Sequence, residues 1–298
     1  MSFFIKKLAI VGVGLIGGSL AQALRSRDLV GQISGVARTT RTLEIAREMG
    51  VIDEGSLDAR EMVRDATLVV VCTPVRAIVP SVREFADCLS PGAVVTDVGS
   101  VKGAVVQGCE EALPKEIHFV GGHPIAGRER AGVEASFPSL FEGSRTILTP
   151  TRRTSPQALE LVRLVWEATG SLVETMDAAH HDRVLAATSH LPHLMAYNVV
   201  HTLADLEEDL RAEVFRYAAG GFRDFTRIAS SDPVMWRDIC LENRTAILEI
   251  LGRFKENLEG IMNGVAEGNG DGLEALFARS KQTRDRVLLE HKGLRGGK

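Results

Sequence analysis

Leu8-Ala9-Ile10-Val11-Gly12-Val13-Gly14-Leu15-Ile16-Gly17-Gly18-Ser19-Leu20-Ala21-Gln22-Ala23 decides the architecture of this 298-residue chain. Leu8 to Val11 is a short apolar run of the kind that forms a buried parallel strand, and Gly12, Gly14 and Gly17 follow with the G-x-G-x-x-G spacing that opens a helix. Gly12 permits a tight turn, Gly14 lets the backbone approach a pyrophosphate, and Gly17 lets the helix lie close against the strand. Phosphates at this turn meet the unsatisfied N–H groups and positive dipole end of the helix. A helix-compatible run from Leu15 towards Arg27 and a second apolar segment, Gln32 to Ala37, complete a strand-helix-strand unit. Lys6 and Lys7 ahead of the apolar run give the same stretch the outline of a signal peptide. Cleavage there would delete the first strand of a continuous α/β pattern, which favours the dinucleotide reading.

The rest of the chain extends that pattern and then changes texture. Further candidate strands are Leu68 to Cys72, Val94 to Val98, His118 to Gly121, Arg145 to Leu148 and Ser171 to Glu174, alternating with helical stretches. This alternation predicts a Rossmann-type, doubly wound α/β domain with a mostly parallel sheet over residues 1–176. After Met176 the strand signal stops, and residues 177–298 read as an all-α domain. Ser231-Asp232-Pro233 is a helix start. From it Ile239, Ala246, Ile250, Phe254, Leu258 and Ile261 recur at helical intervals, predicting one helix of about 45 Å. A helix of that reach suits a dimer interface, so a homodimer through the helical domain is expected, the competing reading being a simple helical cap. Gly268-Asn269-Gly270-Asp271-Gly272 marks a turn before a last helix, with a frayed tail from Gly293.

Composition narrows the functional class. Hydrophobic residues are 45% and charged residues 25% of the chain, ordinary for a globular protein. A net charge of -4 and 5% aromatic residues argue against nucleic acid, and apolar runs shorter than the roughly 18 residues of a membrane span argue against a membrane. Cys72, Cys88, Cys109 and Cys240 are scattered without a C-x-x-C pair, as expected of reduced thiols in the cytoplasm.

Cofactor choice turns on the second strand. The acidic residue that would bind an adenosine 2′-hydroxyl is missing, and Ala37-Arg38-Thr39-Thr40-Arg41 offers arginines and hydroxyls suited to a 2′-phosphate. NADP is therefore expected in preference to NAD, the competing reading being that Arg38 and Arg41 are solvated surface side chains. Gly12, Gly14, Leu15, Ile16, Gly17, Arg38 and Thr39, with Thr73 and Pro74 at a neighbouring strand end, make the expected cofactor site.

Ligands of this architecture sit at the carboxyl ends of the strands. His123 lies just past one such strand in Gly122-His123-Pro124-Ile125-Ala126-Gly127-Arg128-Glu129, placed to act as a base near neutral pH. Ser100, in Asp97-Val98-Gly99-Ser100-Val101-Lys102-Gly103, ends a neighbouring strand with a hydroxyl able to orient both the base and a substrate hydroxyl. His180-His181-Asp182 and Thr188-Ser189-His190-Leu191-Pro192-His193 open the helical half. Their spacing lacks the H-E-x-x-H arrangement, and no metal is expected. Arg223 and Arg227 are candidates to clamp a carboxylate or to form surface ion pairs.

Taken together, these motifs, with Phe225-Thr226-Arg227-Ile228-Ala229 leading to Ser231-Asp232-Pro233-Val234-Met235-Trp236, resemble the prephenate and arogenate dehydrogenase family of tyrosine biosynthesis. The resemblance runs from the first strand to about Leu251. It implies a nicotinamide-binding domain, a dimerising helical domain and a small-molecule substrate, prephenate or arogenate. It implies His123 as the base that takes the ring hydroxyl's proton and Ser100 as the residue holding that hydroxyl. By the same resemblance His190, His193 and Arg227 bind substrate, Arg227 through a carboxylate, and Glu129 bears on side-chain recognition. Arg128 departs from the small or hydroxyl residue expected of the family, which leaves arogenate against prephenate open; the NADP-type second strand leans towards arogenate or dual use. Two alternatives stand beside this: a β-hydroxyacid or imine reductase, disfavoured because no lysine lies between Asp177 and Lys255, and a non-catalytic NADP-sensing protein.

Overall fold

Short apolar strand runs with helix signals between them produce a single sheet in the computed structural model, which describes residues 3–127 and 130–295. The strands are β1 (Ile5–Val11), β2 (Val30–Val36), β3 (Glu54–Ser56), β4 (Leu68–Val71), β5 (Val94–Asp97), β6 (His118–Pro124), β7 (Arg145–Thr149) and β8 (Leu172–Thr175). Their order is β3-β2-β1-β4-β5-β6-β7-β8, parallel throughout except where β7 runs antiparallel to β6. The first six positions have the doubly wound order whose switch point lies beside β1. β3 escaped the sequence reading because Glu54-Gly55-Ser56 is three residues long and has no apolar face.

Helices cover both faces: α1 (Leu15–Arg25), α2 (Thr40–Glu48), α3 (Ala59–Met62), α4 (Val75–Phe85), α5 (Gly103–Ala112) and α6 (Pro156–Ala168). Alternation along the central strands divides the core into two layers. Leu8 and Ile10 of β1 and Leu68 and Val70 of β4 pack with α1, Phe141 and Trp166 on one face. Ala9, Val11, Val69 and Val71 pack on the other with Ile78, Val82 and Phe85 of α4. Burial of both faces explains the continuous apolar runs that marked these strands in the sequence.

After β8 come α7 (Ala178–Leu185), a π-helical turn (Ala186–His190), α8 (Leu191–Ala204), α9 (Glu208–Arg216), α10 (Gly220–Thr226), a 3₁₀ turn (Arg227–Ser230), α11 (Pro233–Glu242), α12 (Arg244–Ala266) and α13 (Gly270–Arg295). Asp177 caps α7 and Asp232 caps α11, whose first turn carries Pro233. Trp236 and Ile239 of α11 join the core layer under α4, with Tyr197 of α8 packed against it. The first helices after β8 thus share a core with the sheet, and by compactness the first unit runs from Met1 to Ile247 and the second from Leu248 to Lys298.

One expectation needs correction. The helix predicted to run unbroken from Pro233 is interrupted at Asn243, which leaves helical geometry at φ -102°, ψ 32° and separates α11 from α12. Its side chain is drawn into the site described below. In the second unit, α12 turns through Gly268 (φ +64°) into α13, which begins at Gly270 and continues to Arg295, into the stretch expected to fray. Among the described residues no helix is long and apolar enough to cross a membrane.

Candidate active site

Four strand ends converge here, those of β1, β4, β5 and β6. At β1, Gly12 has φ +102°, and a Cβ there would stand 2.8 Å from the carbonyl carbon of Cys72. A Cβ on Gly17 would reach 2.6 Å from Ile10 Cγ2, so both positions accept only glycine. Gly14 differs: nothing lies within 4 Å of the place its Cβ would take, and it precedes α1 with no side chain capping the helix. Leu15 and Ile16 follow it, packed on the core. Thr73 Oγ1, just past β4, is buried without a hydrogen-bond partner, and Pro74 leads into α4. An open helix N-terminus beside an orphaned hydroxyl fits a dinucleotide pyrophosphate. At the end of β2, Arg38 is exposed, Thr39 caps α2 by accepting from Thr42 N, and Arg41 lies 3.8 Å from Glu44.

His123, the penultimate residue of β6, is 8% exposed. Its Nδ1 lies 2.8 Å from His181 Nε2 on α7, and His181 Nδ1 lies 2.8 Å from Asp182 Oδ1. Asp182 also accepts from the backbone N–H groups of Lys102 and Gly103, each at 2.8 Å, which ties α7 to the start of α5. Burial pushes the Asp182 carboxyl up, but the hydrogen bonds from His181, Lys102 and Gly103 outweigh it and hold the group below its ordinary range.

Proton positions follow from these partners. A carboxylate only accepts, so His181 donates from Nδ1 and its Nε2 is an acceptor. His123 therefore donates from Nδ1, and its Nε2 carries the free lone pair. Burial, then the neighbouring His181, Lys102 and His190, push His123 well below the ordinary histidine range and keep it neutral. Ser100 lies half-buried in the turn after β5.

The far wall comes from the helical segment. His193 stacks on Trp236 with ring centroids 4.0 Å apart and planes 24° from parallel, and it donates from Nδ1 to the Ser189 carbonyl at 2.9 Å. Its pKa is lowered by burial and by Arg227, against the bond to Ser189 that raises it, which places the exposed Arg227 within electrostatic reach. His190 is 1% exposed, meets Trp236 edge-on, and accepts at Nδ1 from Asn243 Nδ2 at 3.2 Å. Burial lowers its pKa to about 4. Asn243 Nδ2 also donates to the Asp182 carbonyl at 2.8 Å, which is why the helix breaks there.

The structure thus links His123, through His181, Asp182 and Asn243, to His190 and, across Trp236, to His193, with Arg227 within electrostatic reach of His193; it leaves His180 exposed on α7 and places the expected cofactor residues at the β1, β2 and β4 ends. Glu129, with Arg128, lies outside the described residues. His181 and Asp182 carried no role in the sequence reading beyond a weighed metal motif, although the His-Asp pair soon after the α7 cap was visible. Among the described residues no group of three His, Cys, Asp or Glu is arranged to hold a metal ion.

Comparison with known proteins identifies the family. The nucleotide-binding domain model of prephenate dehydrogenase matches residues 20–175 and the dimerization domain model matches residues 177–279. The cyclohexadienyl dehydrogenase of Zymomonas mobilis is 37% identical, the match covering 96% of this chain and 97% of that one. Among solved structures, prephenate dehydrogenase from Aquifex aeolicus in complex with hydroxyphenyl propionate and NAD+ superposes with a TM-score of 0.88 at 39% identity, covering 96% of this chain and 100% of that one. Synechocystis arogenate dehydrogenase gives 0.81 at 31% identity, with 94% and 99% covered. With both halves matched and relatives above 30% identity along nearly their whole length, this chain belongs to the prephenate dehydrogenase family of NAD(P)-dependent oxidoreductases.

Proposed function

We propose that the chain oxidatively decarboxylates a cyclohexadienol, arogenate or prephenate or both, to tyrosine or 4-hydroxyphenylpyruvate. The observation that carries this reading is the Asp182–His181–His123 chain, which leaves a neutral imidazole nitrogen free at the carboxyl end of β6, on the same edge of the sheet as the glycine turn after β1. When bound, the nicotinamide supplies the hydride acceptor. Gly12, Gly14, Leu15, Ile16, Gly17, Thr73 and Pro74 would hold the dinucleotide, and Arg38 with Thr39 supports a preference for NADP over NAD.

In this reading His123 Nε2 takes the proton of the ring hydroxyl as the hydroxyl-bearing carbon loses hydride. The forming carbonyl is conjugated to the carbon bearing the ring carboxylate, so that bond breaks, carbon dioxide leaves and the ring becomes aromatic. Ser100 orients the hydroxyl, and Arg227 with His193 holds a substrate carboxylate. His190 completes the wall behind His193, while Glu129 is the candidate for reading the side chain. Positive charge arriving on His123 is shared through Nδ1–H with His181 and countered by Asp182, so orientation and one base suffice.

The division 1–176 and 177–298 describes the two functional halves in this proposal. A homodimer through the helical half is supported by the dimerization-domain match and by exposed Leu258, Met262, Val265 and Phe277 on α12 and α13. Scattered free thiols support a cytoplasmic location.

The test is reduced-cofactor formation with prephenate and arogenate, each with NADP and NAD, in wild type and His123→Asn. The variant should retain substrate affinity and lose about 2 to 5 kcal/mol of transition-state stabilisation. Unchanged turnover would remove His123 from the role. Equal or better efficiency with NAD would reverse the cofactor assignment.

A further inference from the structure

Lys102 has no part in the chemistry above, yet its side chain is 0% exposed and paired with Asp97, itself 0% exposed. Burying two opposite charges is costly, and an apolar pair of similar volume usually serves stability as well or better. What the pair touches explains its presence. Lys102 Nζ donates to Asp97 Oδ2 and, at 2.8 Å, to the carbonyl of Gly122, the residue before His123. Asp97 accepts from Gly122 N at 3.1 Å and from Gly99 N at 2.8 Å. The Lys102 backbone N–H meets Asp182, the carboxylate behind His181.

Both sides of Ser100 are therefore anchored, through Gly99 and Lys102, to the same two charges that grip the peptide entering His123. The strands can come this close because Gly122 has no side chain: a Cβ there would lie 2.8 Å from the Asp97 carbonyl. We propose that Lys102, with Asp97, is a positioning residue for the reaction, locking the turn that carries Ser100 to the strand end that carries His123 and placing a fixed positive charge behind the base. This rests on His123 being the proton acceptor. Among the described residues, the ionisable groups facing His123 are His181 from α7, Lys102 from the β5–α5 turn and His190 from the π turn, with Asp182 and Asp97 behind the first two. Of these, Lys102 lowers the His123 pKa together with burial and the two histidines.

The inference is tested in Lys102→Met, Lys102→Arg and the neutral double variant Lys102→Met/Asp97→Asn, the last covering the case in which a stranded Asp97 prevents folding. Two readouts are needed: the pH profile of kcat/KM, and the titration of the His123 ring followed by NMR in the ligand-free protein. Removal of the positive charge should move the acid limb and the ring titration to higher pH by about half a unit or more, the direction expected when a like charge is withdrawn. It should also lower kcat by roughly tenfold, the lower range for a misplaced general base, with KM little changed. Lys102→Arg should leave the titration near wild type. An unmoved titration in the charge-free variants, or a loss confined to KM, overturns the inference. His123→Asn separates the two layers: if the acid limb persists in it, the assignment of His123 fails. If the limb disappears there while the charge-free Lys102 variants leave it unmoved, only the role of Lys102 fails.

Discussion

Replacing His181 tests how the base is prepared. His181 is 0% exposed, and its Nε2 is the partner of His123 Nδ1 at 2.8 Å. In His181→Phe a similar volume remains, but the N–H of His123 is left buried without an acceptor, at a stability cost of about 1–3 kcal/mol. The rate suffers separately. As the proton reaches His123, the Nδ1–H bond becomes charge-assisted and roughly twice as strong, a gain of about 1–1.5 kcal/mol that exists only in the charged state. At about 1.36 kcal/mol per factor of ten, its loss lowers kcat by about tenfold. The unheld imidazole can also carry its proton on Nε2, where it cannot accept, which adds a further few-fold loss. His181→Gln is the discriminating companion, because its amide oxygen can accept from His123 Nδ1–H and keep the tautomer. Its kcat should fall only a few-fold. Stopped-flow single turnovers isolate the chemical step from product release. Phenylalanine and wild type within a factor of about two, or glutamine as slow as phenylalanine, would refute the orientation argument built on the general-base principle.

Two further outcomes follow from the same geometry. His190 is held at about 4 in the folded protein against 6.5 for the free side chain, and His123 is also depressed, so the unfolded chain takes up protons that the fold refuses. Stability should therefore be highest above about pH 6.5 and fall as the pH drops towards 4, with His190 contributing up to about 3 kcal/mol of the loss; urea unfolding midpoints across that range check the sign, and a midpoint that rises on acidification would contradict it. Gly12→Ala places a Cβ 2.8 Å from the Cys72 carbonyl carbon at φ +102°. It should destabilise the fold by about 1–3 kcal/mol and weaken dinucleotide binding by at least tenfold, read by cofactor fluorescence titration; a normal dissociation constant would show that the turn does not set the cradle.

Legibility in the sequence followed the range of the interactions. The glycine turn could be read because Gly12 and Gly17 answer contacts made within the β1–α1 unit or with the adjacent β4 end, while Gly14 leaves the helix N-terminus open. The core strands could be read because burial of both faces writes a continuous apolar run into the chain. Asn243 illustrates the opposite case. Apolar positions from Ile239 to Ile261 keep helical spacing across it, yet its amide is claimed by the Asp182 carbonyl, 61 positions away, and by His190, 53 positions away. Those tertiary hydrogen bonds override the local pattern and break the helix. His181 reaches His123 across 58 positions in the same way, and Asp182 reaches the Lys102 backbone across 80. A single sequence marks His123 as a candidate base by its place at a strand end, but the groups that set its tautomer and charge state are ordinary polar residues whose meaning appears only when the helices close over the sheet. Because those partners are buried and linked in series, a change in any one of them should be felt at His123, so their effects on kcat should be strongly non-additive when combined.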